Sequence, residues 1–306
     1  MKILYAIITI SLFVKILSGQ TFETRNKIDL KIGFNLTVNN QIYNYNYSLT
    51  NSATAKESVY IFDLRLPTNV PINNLNGPLN WGKVLFSDSP QLIRWIADVD
   101  DETDHYGKNV IGHSVSLSDF SFNSSNSLPG ILIYYSEGWA PAPVFEEGDE
   151  TDTIPGYTDL TPYGPGVVGK TVGPVQPPIP FVHLSYLDTL IAYTHQSAAL
   201  GWLKSKQDED SDDGEEKPED GIVNNLAKRL QKAKTELVRG DSVKARKELG
   251  KFLKKVETIH DRSVKAEQKK KEDDVIMTSE SFALLKYNGE YLLERLPAKT
   301  KGRNDK

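Results

Sequence analysis

The sequence predicts an α+β protein of two domains, an N-terminal antiparallel β-sandwich followed by a C-terminal antiparallel helical bundle. In the first half of the chain, apolar and polar residues alternate, which is the period-2 pattern of half-buried strands. In the last third, apolar residues recur every three or four positions, as they do on one face of a helix. The charge changes sign as well, since residues 1–220 hold 14 basic and 28 acidic residues whereas residues 221–306 hold 22 basic and 13 acidic residues.

Residues 1–19 have the pattern of a secretory signal peptide. Lys2 precedes an apolar run that ends at Leu17, and the small residues that follow offer a cleavage site after Gly19. The run is shorter than the ~20 apolar residues that span a bilayer. We therefore expect a secreted or cell-surface protein with no membrane span after cleavage. The chain has no cysteine, and a secreted protein without disulfides suits a bacterium better than a eukaryotic secretory lumen.

The β-sandwich is expected over residues 20–140. Ile28–Val38 alternates strictly, Asn39-Asn40 favours a turn, and Tyr43–Leu49 resumes the alternation, so this region predicts a β-hairpin. Further strands are predicted over residues 58–66, 83–86, 91–97, 114–122 and 130–136. Short strands separated by Asn, Gly, Pro and Ser are typical of antiparallel sandwiches of the immunoglobulin-like kind.

Residues 141–180 lack a regular pattern, and we expect them to form an irregular Pro/Gly-rich arm and linker. The arm ends in Pro177-Pro178-Ile179-Pro180, which favours an extended and stiff chain. The helical bundle is expected over residues 181–296. It contains an acidic loop, residues 207–220, with nine acids and one lysine. Charges of one sign at this density repel each other and bury no apolar area, so the loop is expected to be flexible.

Four helices are expected in the bundle. The first is the apolar stretch Phe181–Lys204, whose large side chains need partners to bury against. Amphipathic patterns follow over residues 222–237 and 245–259; between them, Gly240 is typical of a helix end and Asp241 of the next N-cap. The last helix is expected over residues 278–296, and the tail, residues 297–306, is expected to be disordered.

The C-terminal part resembles the small helical module of the FIMAH/FIVAR kind that occurs at the ends of many secreted bacterial proteins. The resemblance covers about 75 residues and rests on the strings GIVNNLAKRLQKAKTELVRGDSVKARKELGKFLKKVETIH and MTSESFALLKYNGEYLLERL. The β half is similar to sandwich domains of uncharacterised secreted bacterial proteins, through the string SLSDFSFNSSNSLPGILIYYSEG. Both resemblances imply an accessory role, and neither supplies a catalytic residue.

One acidic cluster is a candidate calcium site. Five carboxylates lie close together between two predicted strands, and oxygen-rich loops of this kind can bind Ca²⁺. The cluster lacks the glycine and the spacing of an EF-hand loop, so a solvated acidic loop is the alternative interpretation. No other cofactor is expected. The candidate ligands are Asp98, Asp100, Asp101, Glu102 and Asp104.

Three aromatic residues are the candidate ligand-binding residues. Trp81 and Trp139 stand beside Gly or Pro at predicted loop edges, where an exposed ring can stack on a sugar, and Tyr135 lies near Trp139. Packing in the core is the alternative for each of them. Trp95 lies inside an apolar strand and is expected in the core.

Sequence motifs of catalysis are missing. The chain has no GxSxG, no phosphate-binding glycine loop, and no HExxH spacing among its five histidines. Glu137 is a carboxylate close to an aromatic residue, but the sequence assigns it no partner. The acidic balance of the chain and the mixing of Lys with Glu in the helices disfavour nucleic-acid binding.

The sequence therefore predicts a non-catalytic protein of binding or structural type, secreted or on the surface of a bacterium. The alternative is a carbohydrate-binding module that uses aromatic residues at loop edges, and the third hypothesis is an enzyme that acts on glycans. The expected partner is an extracellular glycan or a surface protein.

Overall fold

A computed structural model describes residues 28–88, 90–98, 109–139, 166–204, 221–271 and 274–298. These residues form antiparallel strands and helices, which confirms the α+β class. The strands are β1 (Leu30–Asn39), β2 (Ile42–Asn51), β3 (Ser58–Leu66), β4 (Asn73–Asn76), β5 (Trp81–Phe86), β6 (Gln91–Ala97), β7 (Ser116–Ser125), β8 (Leu128–Trp139) and β9 (Val167–Val175). The helices are α1 (His183–Ala199), α2 (Ile222–Val238), α3 (Ser242–Gln268) and α4 (Ser279–Arg295).

The strands form two antiparallel sheets that pack on each other. Sheet A has the order β1-β2-β7-β4, and sheet B has the order β5-β6-β3-β8-β9. Apolar residues of both sheets share one core, at whose centre Phe62 stacks on Trp95 with ring centroids 5.4 Å apart. Tyr47 of sheet A donates a hydrogen bond to the Val172 carbonyl of sheet B, at 2.8 Å, so a polar contact also joins the two layers.

The predicted hairpin of β1 and β2 is confirmed. Asn39 pairs with Ile42, which leaves Asn40 and Gln41 as a two-residue turn, and both have positive φ (50° and 63°). Such turns match the right-handed twist of the strands. The alternation places Tyr45 in the core and carries Tyr43, on the same face of β2, to the end of the sandwich.

Part of the predicted irregular arm is wrong, because residues 167–175 form strand β9 at the edge of sheet B. Two glycines interrupt the alternating pattern of this strand. At both positions, a side chain of the neighbouring strand β8 occupies the space that a Cβ would need. A Cβ on Gly169 would clash with the Tyr134 ring, and a Cβ on Gly173 would clash with Leu132. Pro174 is tolerated because an edge strand need not donate from every N–H. The remainder of the arm up to residue 165 lies outside the described residues.

The four helices pack in a closed order, since α1 contacts α2 and α4, and α3 also contacts both. Their shared core includes Leu187 of α1, Leu226 of α2, Phe252 of α3 and Leu285 of α4. The predicted helix stop at Gly240, with φ 80°, is confirmed, as is the N-cap Asp241, which accepts a hydrogen bond from the Lys244 backbone N–H at 2.9 Å.

Helix α4 belongs to both cores. It packs against β1, β8 and β9, and its Ala283 and Leu284 are part of the core between the sheets. Asn288 fixes this contact: its side chain donates to the Pro129 carbonyl of β8, at 2.9 Å, and accepts from the Tyr186 hydroxyl of α1, at 2.5 Å. Since β1 and β9 are edges of different sheets, α4 covers the two edges at this side of the sandwich.

Several predictions fall outside the described residues. These are the signal peptide (residues 1–19), the acidic loop (207–220) and the tail from residue 299 onward. Among the residues that the structure describes, none of the helices combines the length and the apolar content needed to cross a membrane.

Candidate functional site

A cleft of about 440 Å³ lies where the end of the sandwich meets helix α4. This volume is within the range of small-molecule sites, roughly 300–1,000 Å³. We call it the tyrosine cleft. Its sheet side is formed by the β1–β2 hairpin, the β7–β8 turn and the segment after β9, which contribute Val38, Gln41, Tyr43, Asn126, Ser127 and Pro177.

Helix α4 forms the other wall of the tyrosine cleft. Tyr287 and Tyr291 are four residues apart and therefore lie one above the other on a single face. Glu290 and Glu294 repeat the same spacing beside them, and Arg295 closes the C-terminal end of the wall. The helix thus presents two aromatic rings, two carboxylates and one guanidinium to the cleft.

The aromatic rings of the cleft are held in place by other rings and by a cation. Tyr43 meets Tyr287 edge to face, with ring centroids 6.0 Å apart. The Arg295 guanidinium lies 3.3 Å from the centroid of the Tyr291 ring, a cation–π contact, and its Nη1 donates to the Tyr291 carbonyl at 3.1 Å. The Tyr287 hydroxyl donates to the Leu36 carbonyl at 3.3 Å. The rings are therefore positioned before any ligand arrives.

The electrostatics of the cleft keep its phenols neutral. Burial raises the pKa of Tyr43 to about 12, and the carboxylates of Glu294 and Glu290 add to the rise. Burial also raises the pKa of Tyr287; Lys286 opposes that shift and Glu290 supports it. At neutral pH both groups are phenols with uncharged rings; the Tyr43 hydroxyl can donate a hydrogen bond to a ligand, whereas the Tyr287 hydroxyl already donates to Leu36.

Two buried hydroxyls lie behind the wall of the cleft. Ser127, which lines the cleft, is 3% exposed, and its Oγ is buried behind the wall. The Tyr45 side chain is fully buried, and its hydroxyl interacts with that of Ser127, which partly offsets the rise in the Tyr45 pKa that burial causes. Buried polar groups are nearly always satisfied by protein or by water, so these two hydroxyls belong to the interior of the wall and not to the surface that meets a ligand.

The two carboxylates of the cleft lie on one side of it. Glu290 and Glu294 project from one face of one helix, so both approach a ligand from the same side. Glycoside hydrolysis needs two carboxyl groups that flank the scissile bond. The cleft supplies flat aromatic surfaces together with amide, carboxylate and guanidinium groups, and these can stack on a ring and hydrogen-bond to its substituents.

Comparisons with known proteins identify no family. A scan against protein-family models gave no match, and neither did a search of curated proteins. A solved structure of an uncharacterised Nocardia farcinica protein, described as having an immunoglobulin-like fold, is 10% identical, with a TM-score of 0.26, and the match covers 45% of this chain and 94% of that chain. A score this low supports no inference, so the fold class rests on the strands and helices themselves.

Trp81, a predicted ligand-binding residue, is 4% exposed and belongs to the core. Its Nε1 donates to the Asn109 carbonyl at 2.8 Å, and its ring meets Phe120 edge to face at 5.1 Å. The expectation that Trp81 presents a ring at the surface is therefore wrong. Strand β5 begins two residues earlier than predicted, which turns a loop-edge residue into a strand residue that faces the core.

Tyr135 belongs to a cluster of polar side chains on the outer face of sheet B. It lies on β8, eight residues after Ser127 of the cleft. Its hydroxyl donates to Glu137, which also accepts from the Tyr60 hydroxyl at 2.6 Å. On the adjacent strands β6 and β3, Arg94 donates two hydrogen bonds to Asp63, of 2.9 and 2.7 Å. The Tyr135 hydroxyl is thus already paired, and this group has the character of an internal network. The Trp139 side chain lies outside the described residues.

The candidate calcium loop is described only at Asp98, which is exposed. Asp100, Asp101, Glu102 and Asp104 lie outside the described residues. Within the described ranges, no three His, Cys, Asp or Glu side chains come together in a way that could hold a metal ion.

Sequence reasoning did not find the tyrosine cleft. Its residues come from four separate segments between Val38 and Arg295, and no local pattern connects them. One signal was present: Tyr287, Glu290, Tyr291 and Glu294 share a face of the last predicted helix, and this face is not uniformly apolar.

Proposed function

We propose that this protein is a non-catalytic binding protein that holds a saccharide in the tyrosine cleft. The observation that carries the proposal is the positioned pair of Tyr43 and Tyr287 beside the polar groups of Gln41 and Asn126. A sugar ring has an apolar CH face that stacks on an aromatic ring and hydroxyls that pair with amides and carboxylates. The site therefore differs from the predicted one, while the proposed class of ligand is the same.

The proposal includes secretion, which is supported by the signal-like residues 1–19; for a secreted chain, the absence of cysteine favours a bacterial source. It also treats the two sheets as an immunoglobulin-like sandwich and the helices as an appended FIMAH/FIVAR-like bundle. Expression in a bacterium, followed by N-terminal sequencing of the protein in the culture medium and in the cytoplasm, tests secretion. We expect protein in the medium that begins at Gln20. Protein that stays in the cytoplasm with its N-terminus intact contradicts secretion.

A glycan array, followed by calorimetry with any glycan retained, tests the cleft. Asn126 has φ 52°, so Asn126→Gly keeps the backbone while it deletes one amide from the cleft. We expect about fivefold weaker binding, since one hydrogen bond contributes roughly 1 kcal/mol.

The matched control is Asn69→Gly, because Asn69 is also exposed and has φ 63° but does not line the cleft. This variant is expected to bind as the unaltered protein does. Equal loss in both variants, or an array on which no glycan is retained, contradicts a saccharide site in the cleft.

A further inference from the structure

The hairpin of α2 and α3 carries a strong positive charge in an acidic protein. Residues 221–271 contain 16 basic and 6 acidic residues, whereas the whole chain has a net charge of −5. A local excess of this size creates a positive potential that attracts anions over a distance of about 10 Å at 0.1 M salt. The hairpin is distant in sequence from most residues of the tyrosine cleft and contributes none of its lining residues.

Six of the eight basic residues of α3, together with the C-cap residue Lys269, form a single stripe along the outer face of the helix; Arg246 and Lys255 lie outside it. The spacings of three and four residues place the stripe residues within an arc of about 80°, given 3.6 residues per turn. All of them are exposed. We call this set the cationic stripe; its members are Lys244, Lys247, Lys251, Lys254, Arg262, Lys265 and Lys269, the last of which caps the helix.

The stripe lies on the side of α3 away from the core, and carboxylates do not interrupt it. The core side is formed by residues such as Leu249, Phe252 and Val256. The four acidic residues of α3, which are Glu248, Glu257, Asp261 and Glu267, all fall outside the 80° arc at 3.6 residues per turn. Only Thr258 fills a stripe position without a charge. The mixture of Lys and Glu in the sequence therefore separates into different faces once the helix forms.

Most of the stripe is available to a ligand. Three members already interact with other groups of the protein, since Lys244 pairs with Asp241 at 3.0 Å, Lys251 pairs with Glu248 at 2.8 Å, and Arg262 also has a partner. Within the described part of the chain, Lys247, Lys254, Lys265 and Lys269 have no carboxylate partner. The structure thus leaves a row of cations without an internal counter-charge.

We propose that the cationic stripe binds a linear polymer that carries phosphate or sulfate groups. Helix α3 is 27 residues long, about 40 Å at 1.5 Å per residue, so the stripe offers a straight row of cations to an extended chain. Each phosphate or sulfate that pairs with a lysine releases a counterion, which makes such binding favourable at low salt. The stripe is a second site, separate from the tyrosine cleft.

The narrowness of the stripe favours a linear polymer over an anionic membrane. A flat surface touches a wider arc of a helix than a single chain does. It would bring Glu248 on one flank and Asp261 on the other close to the lipid phosphates, and these carboxylates would be repelled. A single polymer chain can follow the cations and avoid both flanks.

Binding of the full-length protein to inorganic polyphosphate and to heparin, measured at several salt concentrations, tests the proposal. The two polymers distinguish phosphate from sulfate, and neutral dextran is the blank. The variant is Lys247→Gln, Lys254→Gln, Lys265→Gln and Lys269→Gln together, which preserves helix propensity. For the unaltered protein we expect log K to fall with log salt with a slope of about −5; the variant should have a slope of about −2 and bind on the order of a thousandfold more weakly at 0.1 M salt.

The control removes four exposed lysines from the strands and one loop of the sandwich instead, with Lys31→Gln, Lys56→Gln, Lys83→Gln and Lys170→Gln. The change in net charge is the same, and we expect a loss of less than about threefold, because these lysines do not contact the polymer. An equal loss in both variants shows that net charge alone decides binding and overturns the proposal. So does binding to neither polymer, or stripe-dependent binding to vesicles of anionic lipid that exceeds binding to both polymers. Circular dichroism and Tm show whether each variant folds. If the fourfold stripe variant does not fold, the double variant Lys254→Gln with Lys265→Gln replaces it. For the double variant we expect half the change in the slope of log K against log salt.

Discussion

Glu280 is a carboxylic acid buried at the start of α4, where it is 8% exposed. Burial raises its pKa above the ordinary value of 4.5, although the neighbouring Thr278 hydroxyl lowers it. The folded protein therefore binds this proton more tightly than the unfolded chain does, and the ionised carboxylate opposes folding. The resulting decrease in the free energy of unfolding is fully present above the raised pKa and disappears as the pH falls below 4.5.

The variant Glu280→Gln removes this charge while keeping the size of the side chain. We expect a higher Tm than that of the unaltered protein at pH 7, with the difference shrinking toward zero as the pH is lowered through the raised pKa to 4. Calorimetric scans across this range measure it. Glu294→Gln is the control, since that side chain is 76% exposed; a difference for Glu280→Gln that stays constant with pH would mean that packing, and not ionisation, is responsible.

The β1–β2 turn combines a strained backbone with a place in the cleft. Gln41 has φ 63°, which costs a residue other than glycine roughly 1 kcal/mol. Its side chain lines the tyrosine cleft. Strain of this kind is tolerated when the surrounding structure supports it, as the paired strands β1 and β2 do here.

We expect Gln41→Gly to increase the free energy of unfolding by about 1 kcal/mol, because glycine adopts this φ without strain. The same variant should bind the retained glycan more weakly. Urea denaturation and calorimetry measure the two effects. The control Asn39→Gly, at the end of β1, should lower stability instead, since its backbone is extended; a stability loss in Gln41→Gly would show that the side chain itself supports the turn.

The elements that could be predicted are those whose burial follows a simple period. Strands β1 and β2 and helix α2 each bury one face, so alternation or three-four spacing was sufficient to predict them. Strand β9 escaped prediction because Gly169 and Gly173 leave space for side chains of β8. Strand β4 is only four residues long, Asn73–Asn76, and its single apolar residue, Leu75, is too little to form an alternating pattern.

The molecule as a whole depends on helix α4, which completes the core between the sheets and the core between the helices. The prediction of a sandwich domain followed by a helical bundle did not include this contact. The spacing of apolar residues in a helix does not indicate which sheet edges the helix will cover. The buried Asn288 that fixes α4 to the sheet is 159 residues from its partner, Pro129. The tyrosine cleft exists only because of this long-range contact, so it could not be predicted either.

The central claim is that the sandwich and α4 form one ligand site together. Hydrogen–deuterium exchange of the full-length protein, with and without a glycan retained on the array, tests it most directly. We expect the ligand to slow exchange at the β1–β2 turn, at the β7–β8 turn and in the last two turns of α4 at the same time, since all three line the cleft. Protection at the sheet turns with unchanged exchange in α4, or protection confined to other parts of the chain, would contradict the claim.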